Sequence, residues 1–205
     1  MMAGNPPGRF VLFAVLLAGL VILGVGAFLA LSLHETPRGA AGTLLASAIG
    51  GPFRLVDQNG KTVTDGDLKG KWSLVYFGYT HCPDACPTAL NDISIALDGL
   101  GPKRDAVRPV FITVDPERDT AEVLKAYVTS FDAPIMALTG TPEEIAQAAK
   151  EYRVYYAKHR EAGGDYSMDH SSVIYVMDPE GRFTASFTHE DTPEDIAERL
   201  KKLLA

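Results

Sequence analysis

The run Ser73-Leu74-Val75-Tyr76-Phe77-Gly78 is continuously apolar and shows no alternation with polar residues. A strand with one wet face alternates; a continuous run suits a central strand covered on both faces. Covering both faces takes helices, and the chain after residue 51 supplies them. Strand-like and helix-like segments take turns there, which points to an α/β domain built on a largely parallel sheet.

The other elements can be read outward from that strand. Residues 53–57 and 61–63 flank Gln58-Asn59-Gly60, and Asn-Gly between alternating residues predicts an N-terminal β-hairpin. Ala89, Leu90, Ile93, Ile95, Leu97 and Leu100 predict an amphipathic helix. Residues 107–114 read as the next strand, and Thr120 as the cap of a helix reaching residue 130. A short strand follows over 134–138. Thr141-Pro142-Glu143-Glu144 is a capping box with proline at the first helical position, opening a helix that ends near Tyr152. Residues 154–156 predict a short strand before a Gly163-Gly164 loop. Residues 172–177 and 182–187 read as two strands about the turn Asp178-Pro179-Glu180-Gly181, and Thr192-Pro193 starts the last helix.

The N-terminus belongs to a different solvent. No charged residue occurs from Phe10 to Leu33, and ~20 apolar residues at ~1.5 Å rise cross the ~30 Å of a bilayer core. A cleaved signal peptide has a shorter apolar region with a small-residue site close behind; Ala46-Ser47-Ala48 lies well past this run. The expected organisation is a cytoplasmic N-terminus over 1–9, a single transmembrane helix over 10–33, a flexible tether over 34–50 and one globular domain over 51–205. Arg9 before the span favours the N-terminus inside and the domain in the periplasm of a single-pass inner-membrane protein. A net charge of −7 argues against nucleic acid as a partner.

Cys82 and Cys86 are the only cysteines, in Tyr79-Thr80-His81-Cys82-Pro83-Asp84-Ala85-Cys86-Pro87 directly after the central strand. On one helix, positions i and i+4 share a face, so both sulfurs would point the same way. Cysteines at a strand-to-helix junction of such a sheet describe a thioredoxin-like domain. A structural bridge closing so short a loop would gain little chain entropy. Two readings remain: a redox pair, with a thiolate stabilised at a helix N-terminus, and a soft-metal site needing a third ligand. Zinc usually takes four ligands in a closed structural site, and there is no second cysteine pair. Of the five histidines, His34 lies at the membrane exit, His81 adjoins Cys82, His159 sits in a charged stretch read as flexible and His189 in a polar turn. His170 falls in Met168-Asp169-His170-Ser171-Ser172, a loop expected to pass beside the cysteines, and spacing alone leaves its role as ligand open.

Three blocks together extend this reading. Cys82-Pro83-Asp84-Ala85-Cys86-Pro87, Val114-Asp115-Pro116-Glu117-Arg118-Asp119, and Asp169-His170-Ser171 before a strand ending in Asp178-Pro179-Glu180-Gly181 resemble, in order, the motifs of the Sco/SenC family. The resemblance implies a thioredoxin-like copper-binding domain that assists assembly of the CuA centre of cytochrome c oxidase. Carried over by position, Cys82 and Cys86 are its thiolate ligands and His170 its imidazole ligand, for Cu(I), Cu(II) or both. Implied partners are the oxidase subunit carrying CuA, and a periplasmic thiol reductant or another copper chaperone. Asp84 is expected to favour the helix end, and Asp169 to orient His170. Asp115, Glu117 and Asp119 are expected either to orient the site or a partner surface, or to serve turn chemistry and the charge at a helix N-terminus. Tyr155, Tyr156 and Tyr166 offer a docking surface or half-buried packing.

Two functions use these residues. One is a membrane-anchored copper chaperone with no turnover. The other is a thiol–disulfide reductase that keeps a partner's copper-ligand cysteines reduced. They part at His170, which metal binding needs and thiol exchange does not. A peroxiredoxin-like peroxidase wants threonine where Tyr79 stands.

Overall fold

The computed structural model describes residues 49–161 and 163–205. The expected transmembrane helix and nearly all of the tether lie outside the described residues. Among the described residues no helix is long and apolar enough to cross a membrane.

The chain opens with β1 (Arg54–Asp57) and β2 (Thr62–Thr64), paired antiparallel. Asp57 makes the turn: its Oδ1 accepts the backbone N–H groups of Asn59 at 2.8 Å and Lys61 at 2.9 Å. Gly60 takes the positive φ of +82° that such a turn requires. A short helix α1 (Asp65–Leu68) leads into β3 (Trp72–Gly78), in which every residue after Trp72 is buried. Helix α2 (Ala85–Asp98) follows, then a 3₁₀ turn over Gly101–Ala106 and β4 (Val107–Thr113). Next come α3 (Ala121–Val128), β5 (Met136–Thr139) and α4 (Pro142–Glu151). The last part comprises β6 (Tyr156–Arg160), β7 (Tyr166–His170), β8 (Ile174–Met177), β9 (Phe183–Phe187) and α5 (Pro193–Leu203).

Seven strands form one sheet in the order β2-β1-β5-β4-β3-β8-β9. β3, β4 and β5 are parallel at its centre; β8, β9 and the N-terminal hairpin add antiparallel flanks. This is the mixed α/β thioredoxin-like arrangement expected from the pattern. Helix ends follow their local chemistry. Thr141 and Glu144 form a reciprocal capping box, as do Thr192 and Asp195. α2 buries Cys86, Leu90, Ile93 and Leu97 on one face, the spacing of an amphipathic helix.

Three expectations need correction. α2 starts at Ala85, so Cys82 precedes the helix and the two cysteines are not i and i+4 on one helix. Pro83 cannot supply a backbone donor, and the chain enters the helix only after Asp84. The stretch Lys158-His159-Arg160, read as flexible, is part of β6, which begins at Tyr156 and not at 154. His170 does not sit in a loop: it is the last residue of β7, paired across the ribbon with Tyr156. β6 and β7 form a separate two-stranded sheet with no ladder to the main one.

Candidate metal centre

β3 ends at Gly78, and the chain turns at once, Cys82 N–H donating to the Tyr79 carbonyl at 3.3 Å. This places the Cys82 sulfur at the start of α2, where the Cys86 N–H donates to it at 3.4 Å. Pro87 stands in the first helical turn, where a missing N–H breaks no intrahelical bond. Cys86 is fully buried, Cys82 half-buried, and neither is in a disulfide. The close seat of Cys86 depends on Gly78, since a Cβ there would stand 2.7 Å from its sulfur.

β7 brings His170 to the same spot. Its Nε2 lies 3.4 Å from Cys86 Sγ, and its Nδ1 lies 3.3 Å from the Ser171 carbonyl. A carbonyl only accepts, so Nδ1 carries the proton in that contact and the Nε2 lone pair faces the sulfurs. The imidazole is held edge-on by the rings of Tyr76 and Tyr79, with centroids 6.0 and 5.9 Å away. The ligand atoms of Cys82, Cys86 and His170 all lie within 4.8 Å of one another, the one such group among the described residues. Two thiolates and an imidazole are donors that suit copper, and the trio is spaced for a single ion.

The two sulfurs are electrostatically unlike. The Cys82 thiol is pulled down to about 5, chiefly by a hydrogen bond from the Cys86 thiol, aided by backbone N–H groups of Asp84 and Cys86. Cys86 is pushed far up, because its proton is held by the Cys82 sulfur and its surroundings are dry. Both shifts favour the thiolate at Cys82 and the thiol at Cys86 at neutral pH.

The second sequence block supports both halves of the site. Asp119 is fully buried. Its carboxylate accepts from Thr80 N–H at 3.0 Å, Thr80 Oγ1 at 2.6 Å and Thr113 Oγ1 at 2.6 Å, tying the cysteine loop to the end of β4. Asp115, also buried, accepts from Arg118 Nε at 2.5 Å and from the Tyr166 hydroxyl at 2.9 Å. Burial and that bond push the Tyr166 phenol up to about 12. Glu117 is an exposed partner of Lys158 at 2.7 Å. Of these three acids, then, two are buried and bond groups on the elements that carry the site, and one is exposed.

Other expectations fall differently. Asp84 is the N-cap residue of α2 but makes no side-chain cap bond; Thr88 Oγ1 lies 3.4 Å from it. Asp169 is exposed, and the partner of His170 Nδ1 is the Ser171 carbonyl. His81, His159 and His189 are exposed, and His34 lies outside the described residues. Tyr155 is exposed, whereas Tyr156 and Tyr166 are half-buried. Sequence reasoning passed over Thr80, Thr113 and Gly78. Only Gly78 had a visible signal, a glycine closing an otherwise bulky strand.

Residues 41–205 match the SCO1/SenC family model. The protein SCO1 homolog 1, mitochondrial, of Arabidopsis thaliana is 45% identical over 157 residues, which cover 76% of this chain and 47% of that protein. The chain thus spans about half the length of that relative. The copper-bound structure of ScoI from Bradyrhizobium japonicum is 54% identical with a TM-score of 0.71, covering 76% of this chain and 99% of that one. The structure of BsSco, described as a member of the Sco family of cytochrome c oxidase assembly proteins with a disulfide switch, is 26% identical with a TM-score of 0.58, covering 76% of this chain and 93% of that one.

Proposed function

The chain belongs to the SCO1/SenC family, and on that premise we propose that it carries copper for cytochrome c oxidase assembly, one ion held by Cys82, Cys86 and His170. The observation that supports this most is the convergence within 4.8 Å of two sulfurs from the loop and helix after β3 and one imidazole from the separate β6–β7 ribbon. Copper here is cargo. With two thiolates and a neutral imidazole, Cu(I) gives a site of charge −1 and Cu(II) a neutral one. Loading requires Cys86 to lose its proton, and the attraction of the metal for the thiolate drives that loss. Cys82, half-buried at the surface, is the donor that an incoming ligand meets first. The recipient is the CuA subunit of the oxidase.

Anchoring is part of the proposal. Residues 10–33 form the single span, residues 34–50 the tether, and the domain lies on the periplasmic side of the inner membrane. There a reductant is needed to keep both thiols open.

A second reading is favoured by the depressed Cys82 thiol. Cys82 thiolate attacks a partner's disulfide, forming a mixed disulfide and expelling one partner thiolate. Cys86, deprotonated, then attacks Cys82 sulfur and releases the second. Two electrons pass from the pair to the partner.

The test is anaerobic copper titration of the reduced full chain, wild type against His170→Ala, with bound metal measured after chelator challenge. One copper retained by the wild type and lost in the variant, and lost also in Cys82→Ser and Cys86→Ser, is expected. A wild type that retains none overturns the carrier reading in favour of thiol exchange. Retention unchanged in His170→Ala removes His170 from the ligand set.

A further inference from the structure

The β6–β7 ribbon shares no ladder with the main sheet, and an isolated two-stranded hairpin is marginally stable in water. Yet it must hold His170 to a fraction of an ångström if the imidazole is to face two sulfurs fixed in the other part of the fold. Something other than backbone pairing sets its position.

β7 alternates, so Tyr166, Met168 and His170 share the face toward the main body. Met168 is buried. Tyr166 stands ~14 Å along the strand from His170, at ~3.4 Å per residue. Its hydroxyl donates to Asp115 Oδ1 at 2.9 Å, and its backbone carbonyl accepts from Arg118 Nη1 at 2.9 Å. Its ring meets two cations, the Arg118 guanidinium 3.7 Å from the centroid and the Lys158 ammonium 4.2 Å from it. Arg118 also binds Asp115 through Nε. Asp115 is buried directly beyond β4, with its N–H on Thr113 Oγ1 at 2.9 Å, so the anchor belongs to the rigid core. Among the ribbon's other links, Tyr79 meets the Met168 backbone and the His170 ring, while Lys158 to Glu117 joins two partly exposed side chains and holds weakly.

We infer that Tyr166 is a positioning residue for His170, a clasp that closes on Asp115 and Arg118 and sets the imidazole over the cysteines. The ring, hydroxyl and carbonyl of one residue meet one carboxylate and one guanidinium, which fixes the strand in translation and in rotation. Loss of the clasp leaves the sulfurs in place and frees the third donor. The metal arm of the test below rests on the copper reading above; the labelling arm does not.

The experiment uses the full chain in detergent, with Tyr166→Phe and Tyr166→Leu beside wild type. In the first arm, the metal-free reduced protein is treated with diethyl pyrocarbonate and histidine modification is read by mass spectrometry. His159, exposed on the same ribbon, is the internal reference. His170 is expected to react more slowly than His159 in the wild type and to approach it in Tyr166→Leu, while Cys86 stays resistant to alkylation. If Cys86 becomes reactive in Tyr166→Leu, that variant has lost its core and Tyr166→Phe decides. Unchanged His170 labelling in the deciding variant overturns the inference.

In the second arm, copper binding is measured against chelators of graded strength, so that the residual two-thiolate binding of His170→Ala stays on scale, in wild-type and His170→Ala backgrounds. The clasp variant is expected to lower retention about tenfold in the first and not further in the second, since a residue acting through His170 has nothing left to act through. Equal losses in both backgrounds also overturn it. If the wild type holds no copper, the carrier reading falls and the labelling arm still decides the clasp.

Discussion

Gly78 and Cys86 are matched in shape: a Cβ on Gly78 would meet the Cys86 sulfur at 2.7 Å and Phe111 Cε2 at 2.9 Å. Both neighbours are fully buried. The strand that carries the site therefore ends on a glycine for reasons of space. Its φ lies outside the positive range, so conformational freedom plays no part.

Gly78→Ala should displace the Cys86 sulfur and the Phe111 ring together. Overpacking of this kind costs ~1–3 kcal/mol. A lower denaturant midpoint together with weaker copper retention is expected, because the moved sulfur is one of the three donors. A variant of wild-type stability and copper affinity would show that the core yields more easily than the spacing implies.

Cys82 should alkylate as a thiolate far below the range of an ordinary cysteine. A free thiol ionises near ~8.5, and here the folded-state value is drawn down to about 5, first by the Cys86 thiol. A depressed acid contributes stability that is complete above the unfolded value and is lost as the pH falls through the folded one. Reactivity of Cys82 toward iodoacetamide in the metal-free protein should thus hold from neutral pH down and fall off near pH 5. Cys86, buried and pushed up, should stay unmodified at neutral pH. A single profile shared by both cysteines would contradict this asymmetry.

Asp119→Ala should be among the more damaging single changes. It strands the Thr80 N–H and two threonine hydroxyls that now share one buried carboxylate. Unpaired buried groups cost ~1–3 kcal/mol each, and partial relaxation brings the expected loss to about 3 kcal/mol. Asp119→Asn keeps one carbonyl acceptor and should lose less. Chemical unfolding measures both. Faster alkylation of Cys82 in the variants would show that the cysteine loop is released as well.

The central strand, the helix caps and the cysteine loop were legible in the sequence because each is written in neighbouring residues: an apolar run, a Thr-Pro-Glu-Glu box, a cysteine spacing. Only the start of the ribbon's first strand is legible, and the second is not, although Tyr166-Ser167-Met168-Asp169-His170 alternates as a half-buried strand should; its polar members and the preceding glycines make it look like loop. The starting point of α2 was misjudged because cysteine spacing says nothing of where a proline-flanked helix begins. Asp119 reaches Thr80 across 39 residues and Tyr166 reaches Asp115 across 51. Only the folded sheet brings those pairs together, so no local pattern announces them. The motif resemblance pointed to the right block and left open what its acids touch.

The division of the donors between the loop and helix after β3 and the separate ribbon bears on how such a centre can be transplanted. Moving the cysteine loop alone into another protein of this architecture would carry two sulfurs and no imidazole. Moving the ribbon as well would bring the imidazole without the carboxylate and guanidinium that hold its strand. The smallest portable unit is the loop, the ribbon and the Asp115–Asp119 turn between them in sequence.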